Sequence, residues 1–334
     1  MPQRGLYVRQ LPLRTGTLQP QKPTEDVVTL TNRSGQRLYG ILHLPCSHSA
    51  HVGARGVHIL NPGLKNRVAP NRLNVKIART LCDLGYPVLR SDPRGIGDSE
   101  GQLGNGNAGV LDLWLKIQKG ALVEDTLAWN DFFSRRAGLE GLTLVGQCGG
   151  GVTALLAAAK DKRVDRVVLI DTPFRTVPTE QETALISEAY NSSGEILREG
   201  FQNLFQANRL RKLLAFRVNW RLYLRALVFS IRDRIGLGPE SARFEVHERF
   251  NWPMAEAFRL LLKRGAQICF LYAENDFSLK EFSSDFHPHF LEADIMSKQK
   301  CRVHIIPHAN HIYTEPEWQS ELLQQVRDWL TVQS

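Results

Sequence analysis

One stretch of the chain carries a sharp chemical signal: LTLVGQCGGG, residues 142–151. An apolar strand-like run ends at Gly146-Gln147-Cys148-Gly149-Gly150, and a helix-forming run from Gly149 to Ala159 follows at once. A thiol at a sharp strand-to-helix turn is presented as a nucleophile. The glycines at 146 and 150 carry no side chain, so neighbouring backbone can pass close beside the turn. The helix points its first N–H groups and the positive end of its dipole at the sulfur, which favours a thiolate. A thiolate attacks acyl carbons and leaves a thioester, which passes its acyl group to water, amines, thiols or an activated hydroxyl. Taken alone, the pattern also fits a Gly-rich turn around a buried structural cysteine, or a nucleotide-binding turn.

A nucleophile of this kind needs a base, and the base needs an orienting acid. Two late apolar runs end in such groups. QICFLYA (267–273) leads into Glu274-Asn275-Asp276, and CRVHIIP (301–307) into His308-Ala309-Asn310-His311. The elements that must position them show in the hydrophobic rhythm. VVTLTN (27–32) and QRLYGILHLP (36–45) alternate around Ser34-Gly35 and predict a β-hairpin. GVHIL (56–60), YPVLRSD (86–92), LTLVG (142–146) and RVVLID (166–171) read as short strands. Helical spacing separates them at 71–84, 121–136 and 149–159, and returns at 253–264 and 316–331. Strands alternating with helices predict an α/β fold, with a mostly parallel sheet covered on both faces. The rhythm stops at 173–250, which reads as a helical insertion, and residues 1–24 read as an N-terminal arm. The core is then 25–172 with 251–334.

With LNPG (60–63), GYPVLRSDPRGIGDSEG (85–101), VGQCGGG (145–151), LYAENDF (271–277) and PHANHIY (307–313) in hand, the chain resembles the α/β-hydrolase superfamily from about residue 25 onward. The resemblance implies a nucleophile–acid–histidine order, matched by Cys148, Asp276 and His311, with Glu274 the alternative acid and His308 the competing imidazole. It also implies an oxyanion hole from the N–H of Gly149 and a second donor after GVHIL. Pro62 has no N–H, so Gly63 or Leu64 must supply that donor. The insertion at 173–250 corresponds to the cap of such folds. Cysteine in the elbow is similar to dienelactone hydrolases and polyhydroxyalkanoate synthases, though no other stretch resembles a synthase. Asp92, Arg94, Asp98 and Ser99 are expected to hold a tight loop, and His58, Cys82 and Cys269 to pack in the core.

The expected activity is an acyl hydrolase acting on an ester or thioester. The alternatives are an acyltransferase that delivers to an acceptor other than water, and a catalytically silent binding protein of the same fold. Composition narrows the partners. The chain has 42 Lys+Arg against 34 Asp+Glu, a formal +8, and residues 198–234 alone carry nine basic and two acidic residues. Arg209, Arg211, Lys212, Arg217, Arg221 and Arg225 alternate there with leucine and aromatic residues. Such a segment reads as a solvated amphipathic lid helix, or as contact for an anionic membrane surface or an acidic partner; an acidic acyl carrier protein or coenzyme A would suit it, and no accompanying motif points to nucleic acid. Five widely spaced cysteines form no CxxC pair, so no disulfide framework or zinc site is expected, and a cytoplasmic setting follows. Cys46, His48 and His51 are read as loop residues. No metal, cofactor or transmembrane segment is expected.

Overall fold

The computed structural model describes residues 23–46, 54–104, 109–176, 250–291 and 299–331. The chain divides into two compact units, Met1–Thr176 with Asn251–Ser334, and Val177–Phe250. Residues 1–22 of the expected arm, His48 and His51, and residues 177–249 of the expected cap with its basic segment lie outside the described residues.

The first unit is built on one eight-stranded sheet. Its strands are β1 (Thr24–Thr31), β2 (Arg37–Leu44), β3 (Arg55–Leu60), β4 (Val88–Ser91), β5 (Gly141–Gln147), β6 (Val164–Ile170), β7 (Gln267–Ala273) and β8 (Cys301–Ile306), in the order β1-β2-β4-β3-β5-β6-β7-β8. The hairpin β1–β2 and the β2–β4 pair are antiparallel, and every later pair is parallel. The expected hairpin forms because Gly35, at φ +80°, takes the left-handed turn that a side chain resists. Strands β5, β6 and β7 are buried along nearly their whole length. That is why they read as continuous apolar runs rather than alternating ones.

Among the described residues the helices are α1 (Leu73–Asp83), α2 (Val110–Gln118), α3 (Val123–Ala137), α4 (Gly149–Lys160), α5 (Trp252–Lys263), α6 (Phe277–Glu281) and α7 (Pro316–Thr331). In α1, Leu73, Ile77 and Leu81 recur one turn apart and are buried against the sheet, and Gly85 at φ +96° follows its end. Two helical segments depart from the expected plan. Helix α2 is nine residues long and follows a Gly-rich stretch that reads as loop. Helix α6 runs directly into a wider π-type helix over Phe282–Leu291 that contains Pro288, a residue that in sequence signals a break. Phe282, Phe286 and Phe290 of this segment stack in the core with Phe174, Phe258 and Phe270, and that packing holds the irregular turn.

A buried polar chain joins β3, β4 and α3. His58 is fully buried, with Nδ1 2.7 Å from Asn130 Oδ1 and Nε2 2.7 Å from Ser91 Oγ. Burial pushes its imidazole down to about 4, against the opposing pull of the Asn130 hydrogen bond. His43, which accepts from Arg90 Nε at 3.0 Å, is likewise held at about 4 by burial and the charge of Arg90. Both folded values lie below the ordinary histidine value, so the unfolded chain takes up these protons first as the pH falls. Their contribution is complete above about pH 6.5 and is lost toward pH 4, on the order of 2–3 kcal/mol per histidine at pH 4.5. Urea unfolding at neutral and acid pH should show the fall, and His58→Gln should flatten its own share. An unchanged slope in that variant would assign the acid sensitivity to other groups.

Candidate active site

The carboxyl ends of β5, β6, β7 and β8 lie side by side, with Gln147 paired to Ile170, Ile170 to Leu271 and Ala273 to Ile306. The residues that follow are laced across this edge. The N–H of Cys148 donates to Ile170 O at 2.8 Å, that of Asp171 to Leu271 O at 2.9 Å, and that of Glu274 to Ile306 O at 3.1 Å. Cys148, the residues after Asp171, Asp276 and His311 therefore converge because parallel strands end in register.

Cys148 has φ 53° and ψ −126°, a strained backbone for a residue with a side chain, and its carbonyl accepts from the Gly151 N–H at 2.9 Å. Such a conformation costs about 1–3 kcal/mol and persists where surrounding packing fixes it. The packing is visible at the glycines. A Cβ on Gly146 would collide with the Gly150 carbonyl, and one on Gly150 with the Asn61 carbonyl. A Cβ on Gly149 would lie 2.9 Å from the Gly63 Cα, so the loop after β3 presses directly on the start of α4.

That contact bears on the two expected backbone donors. The Gly149 N–H heads α4 and has no partner among the described residues. The Gly63 N–H is already bonded to Asn61 O at 2.9 Å, whereas the Leu64 N–H donates to no described residue. Of the two candidates after GVHIL, Leu64 is the one with a donor to offer.

His311 Nδ1 lies 2.6 Å from Asp276 Oδ2. Asp276 Oδ1 accepts from both the N–H and the hydroxyl of Ser278, so the same carboxylate caps α6 and fixes the imidazole. Burial raises the Asp276 carboxyl, but the charge and hydrogen bond of His311 and the Ser278 donors hold it below its ordinary value. His311 leaves 24 % of its side chain to solvent, yet sits deep among protein atoms. Burial pulls the imidazole down; the charges of Asp276 and Cys148 and hydrogen bonds to both hold it well above the ordinary value. The Phe277 ring lies against it at 5.9 Å between centroids. The competing candidates are elsewhere: His308 is 85 % exposed, and Glu274 accepts its backbone N–H at 2.6 Å.

The match to the family model described as alpha/beta hydrolase fold spans residues 59–284, more than half of the chain. The chain belongs to the α/β-hydrolase fold family. Membership supports a general hydrolase role for the enzyme. No curated protein matches the chain in sequence. Among solved structures, that of DcsB in complex with its substrate analogue is similar at 17% identity, covering 92% of this chain and 99% of that one, with a TM-score of 0.52. A hypothetical protein from Pseudomonas aeruginosa is similar at 19% identity, covering 97% and 99%, with a TM-score of 0.50. At these identities the likeness is one of fold.

Several residues of this α/β hydrolase shape the site without standing out in the sequence. Gln147 Nε2 donates to the His311 carbonyl at 2.7 Å, tying the Cys148 turn to the His311 loop; a buried amide directly before Cys148 was its only signal. Asn71 Nδ2 holds the same loop through the Ile312 carbonyl at 2.7 Å. Arg67 joins buried Asp92 to Asp98, and the Ser99 hydroxyl donates to Asp92 O at 2.9 Å. Arg94 bonds Asp125 and the Ala121 carbonyl. The 92–99 loop thus braces the strand ends and the loop after β3 rather than facing the thiol. Burial raises the thiols of Cys82 and Cys269 to about 12, which leaves both inert. Among the described residues, no group of three His, Cys, Asp or Glu side chains is arranged to hold a metal ion, and no helix is long and apolar enough to cross a membrane.

Proposed function

We propose that this enzyme is an acyl hydrolase, an esterase or thioesterase, working through Cys148, His311 and Asp276. One observation carries the reading: a single imidazole is bonded through Nδ1 to a buried carboxylate at 2.6 Å and lies beside a thiol on a strained strand-to-helix turn. Asp276 fixes the orientation of His311 and offsets the charge of its imidazolium. With Nδ1 engaged, Nε2 holds the proton given up by the Cys148 thiol, and the sulfur adds to the acyl carbon as a thiolate. The carbonyl oxygen becomes an oxyanion, received by the N–H groups of Gly149 and Leu64. The bond to the leaving alkoxide or thiolate breaks as His311 returns its proton to that group. A thioester on Cys148 remains. Water then adds to it while His311 takes a proton, and collapse of the second tetrahedral species expels the Cys148 sulfur and releases the acid.

An acyltransferase would share every step up to the thioester. The test is therefore to mix the protein with a panel of aryl esters and acyl-CoA thioesters, quench in acid, and weigh the intact protein. A transient acyl adduct on Cys148 that decays as free acid appears supports the hydrolase. An adduct that persists until an amine, thiol or alcohol is supplied would make the enzyme an acyltransferase. Absence of adduct and turnover, with iodoacetamide showing no preference for Cys148, would remove the reading altogether.

A further inference from the structure

A second carboxyl, Asp171, lies beside the Asp276–His311 pair and has no part in the steps above. It follows β6 as the residue after Ile170, between the strand ends that lead to Cys148 and Asp276. It is fully buried, and its backbone sits at φ 42°, a left-handed conformation unfavourable for a residue with a side chain. Its N–H donates to Leu271 O at 2.9 Å, and its Oδ1 accepts the Ala273 N–H at 2.7 Å. The carboxyl therefore grips the last residue of β7, three positions before Asp276. Its other oxygen, Oδ2, has no hydrogen-bond partner among the described residues, and neither has the buried hydroxyl of Tyr313. These two buried, unpartnered groups are neighbours. Tyr313 stands two residues after His311, at φ 51°, with its N–H on Asn310 O at 3.0 Å and its carbonyl held by Gln319 at 2.6 Å.

We propose that Asp171 is a positioning residue for the reaction: its carboxyl bridges the end of β7 to Tyr313 and so fixes the spacing between the loop that carries Asp276 and the loop that carries His311. The proposal rests on the Cys148–His311–Asp276 reading.

The bridge works with Asp171 uncharged. Asp276 already supplies the anion that His311 needs, and two carboxylates in one dry space repel. The titratable groups facing Asp171 are Asp276 on the loop after β7, His311 and Tyr313 on the loop after β8, and Tyr272 on β7. Burial, then the charge of Asp276, raises the Asp171 carboxyl to about 8, with His311, the Ala273 N–H and the Tyr313 hydroxyl opposing. Once ionised, Asp171 would repel Asp276 and compete with it for His311.

The test compares wild type with Asp171→Asn and Asp171→Ala, from about pH 6 to about pH 10. Two readouts are followed: the iodoacetamide alkylation rate at Cys148, by mass spectrometry, and kcat/KM on an acyl-CoA thioester. Asparagine keeps the shape and the acceptor of an uncharged carboxyl, so it should stay within about 3-fold of wild type at neutral pH, while alanine should lose about 10-fold or more in both readouts. Wild type should begin to lose kcat/KM as pH rises through about 8, and in Asp171→Asn the fall should move to higher pH. Asparagine as impaired as alanine would show that the charge itself is required and overturn the proposal. Alanine within about 2-fold of wild type would overturn it as well. If the alanine variant does not fold, Tyr313→Phe replaces it. A lowered Cys148 alkylation rate there supports the bridge, and an unchanged rate and pH profile overturn it. A wild type that turns over neither aryl esters nor thioesters would fell the functional reading, while the alkylation rates would still report the loop spacing.

Discussion

Replacing Cys148 by alanine is expected to abolish turnover, with kcat falling about 10⁴- to 10⁶-fold while KM moves little. The size follows from what is lost. Without the sulfur no acyl-enzyme forms, and the residual rate comes from substrate binding and the backbone donors of Gly149 and Leu64 alone. The fold should survive, because the constraint at this turn is made by Gly146, Gly150 and Gly151 rather than by the thiol. A Cβ on any of these three would collide with, respectively, the Gly150 carbonyl, the Asn61 carbonyl and the Thr172 side chain. Alanine at 148 already has the Cβ that the site accommodates. Far-UV circular dichroism and the unfolding midpoint should therefore match wild type, while esters and thioesters are left intact and iodoacetamide no longer labels the site. Cys148→Ala turning over substrate within about 10-fold of wild type would remove the cysteine from the mechanism.

How far the sequence revealed this arrangement depends on what kind of signal each part leaves. The sheet was legible because β5, β6 and β7 bury both faces, and burial on both faces writes itself as unbroken apolar runs. The meeting of Asp276 with His311 was legible at one remove. Each follows a late parallel strand, and parallel strands that end in register must bring their following loops together. Spacing could not separate Asp276 from Glu274; the cap of α6 does, since Asp276 takes the Ser278 donors and Glu274 takes the N–H of His308. The helical turns of 277–291 were hidden by Pro288 and by phenylalanines that pack too irregularly for a 3.6-residue period. Asp171 and Gln147 were hidden more deeply. Each is a polar residue at the end of an apolar run, a position where many strands begin a loop, and only contacts made across the sheet edge reveal what they hold.

Removing the acid should separate orientation from base strength. Asp276→Asn keeps the size of the side chain and can still cap α6, but it withdraws the negative charge from Nδ1 of His311 and permits the wrong tautomer. A loss of about 10³- to 10⁴-fold in kcat/KM is expected, with Glu274→Gln within about 3-fold of wild type and His308→Ala unchanged. The pH dependence follows from the two shifts. His311 is held above its ordinary value in the folded protein, so its contribution to stability is present below about pH 6.5 and is lost as pH rises through the folded value. Asp276 is held below its ordinary value, so its contribution is present above about pH 4 and is lost as pH falls through the folded value. In Asp276→Asn the anion is gone, His311 gives up its proton at lower pH, and the alkaline limb of kcat/KM should move to lower pH. A rate profile identical to wild type in Asp276→Asn, together with a large loss in Glu274→Gln, would transfer the acid role to Glu274. The 2.6 Å contact between Asp276 and His311 would then be no more than a loop brace.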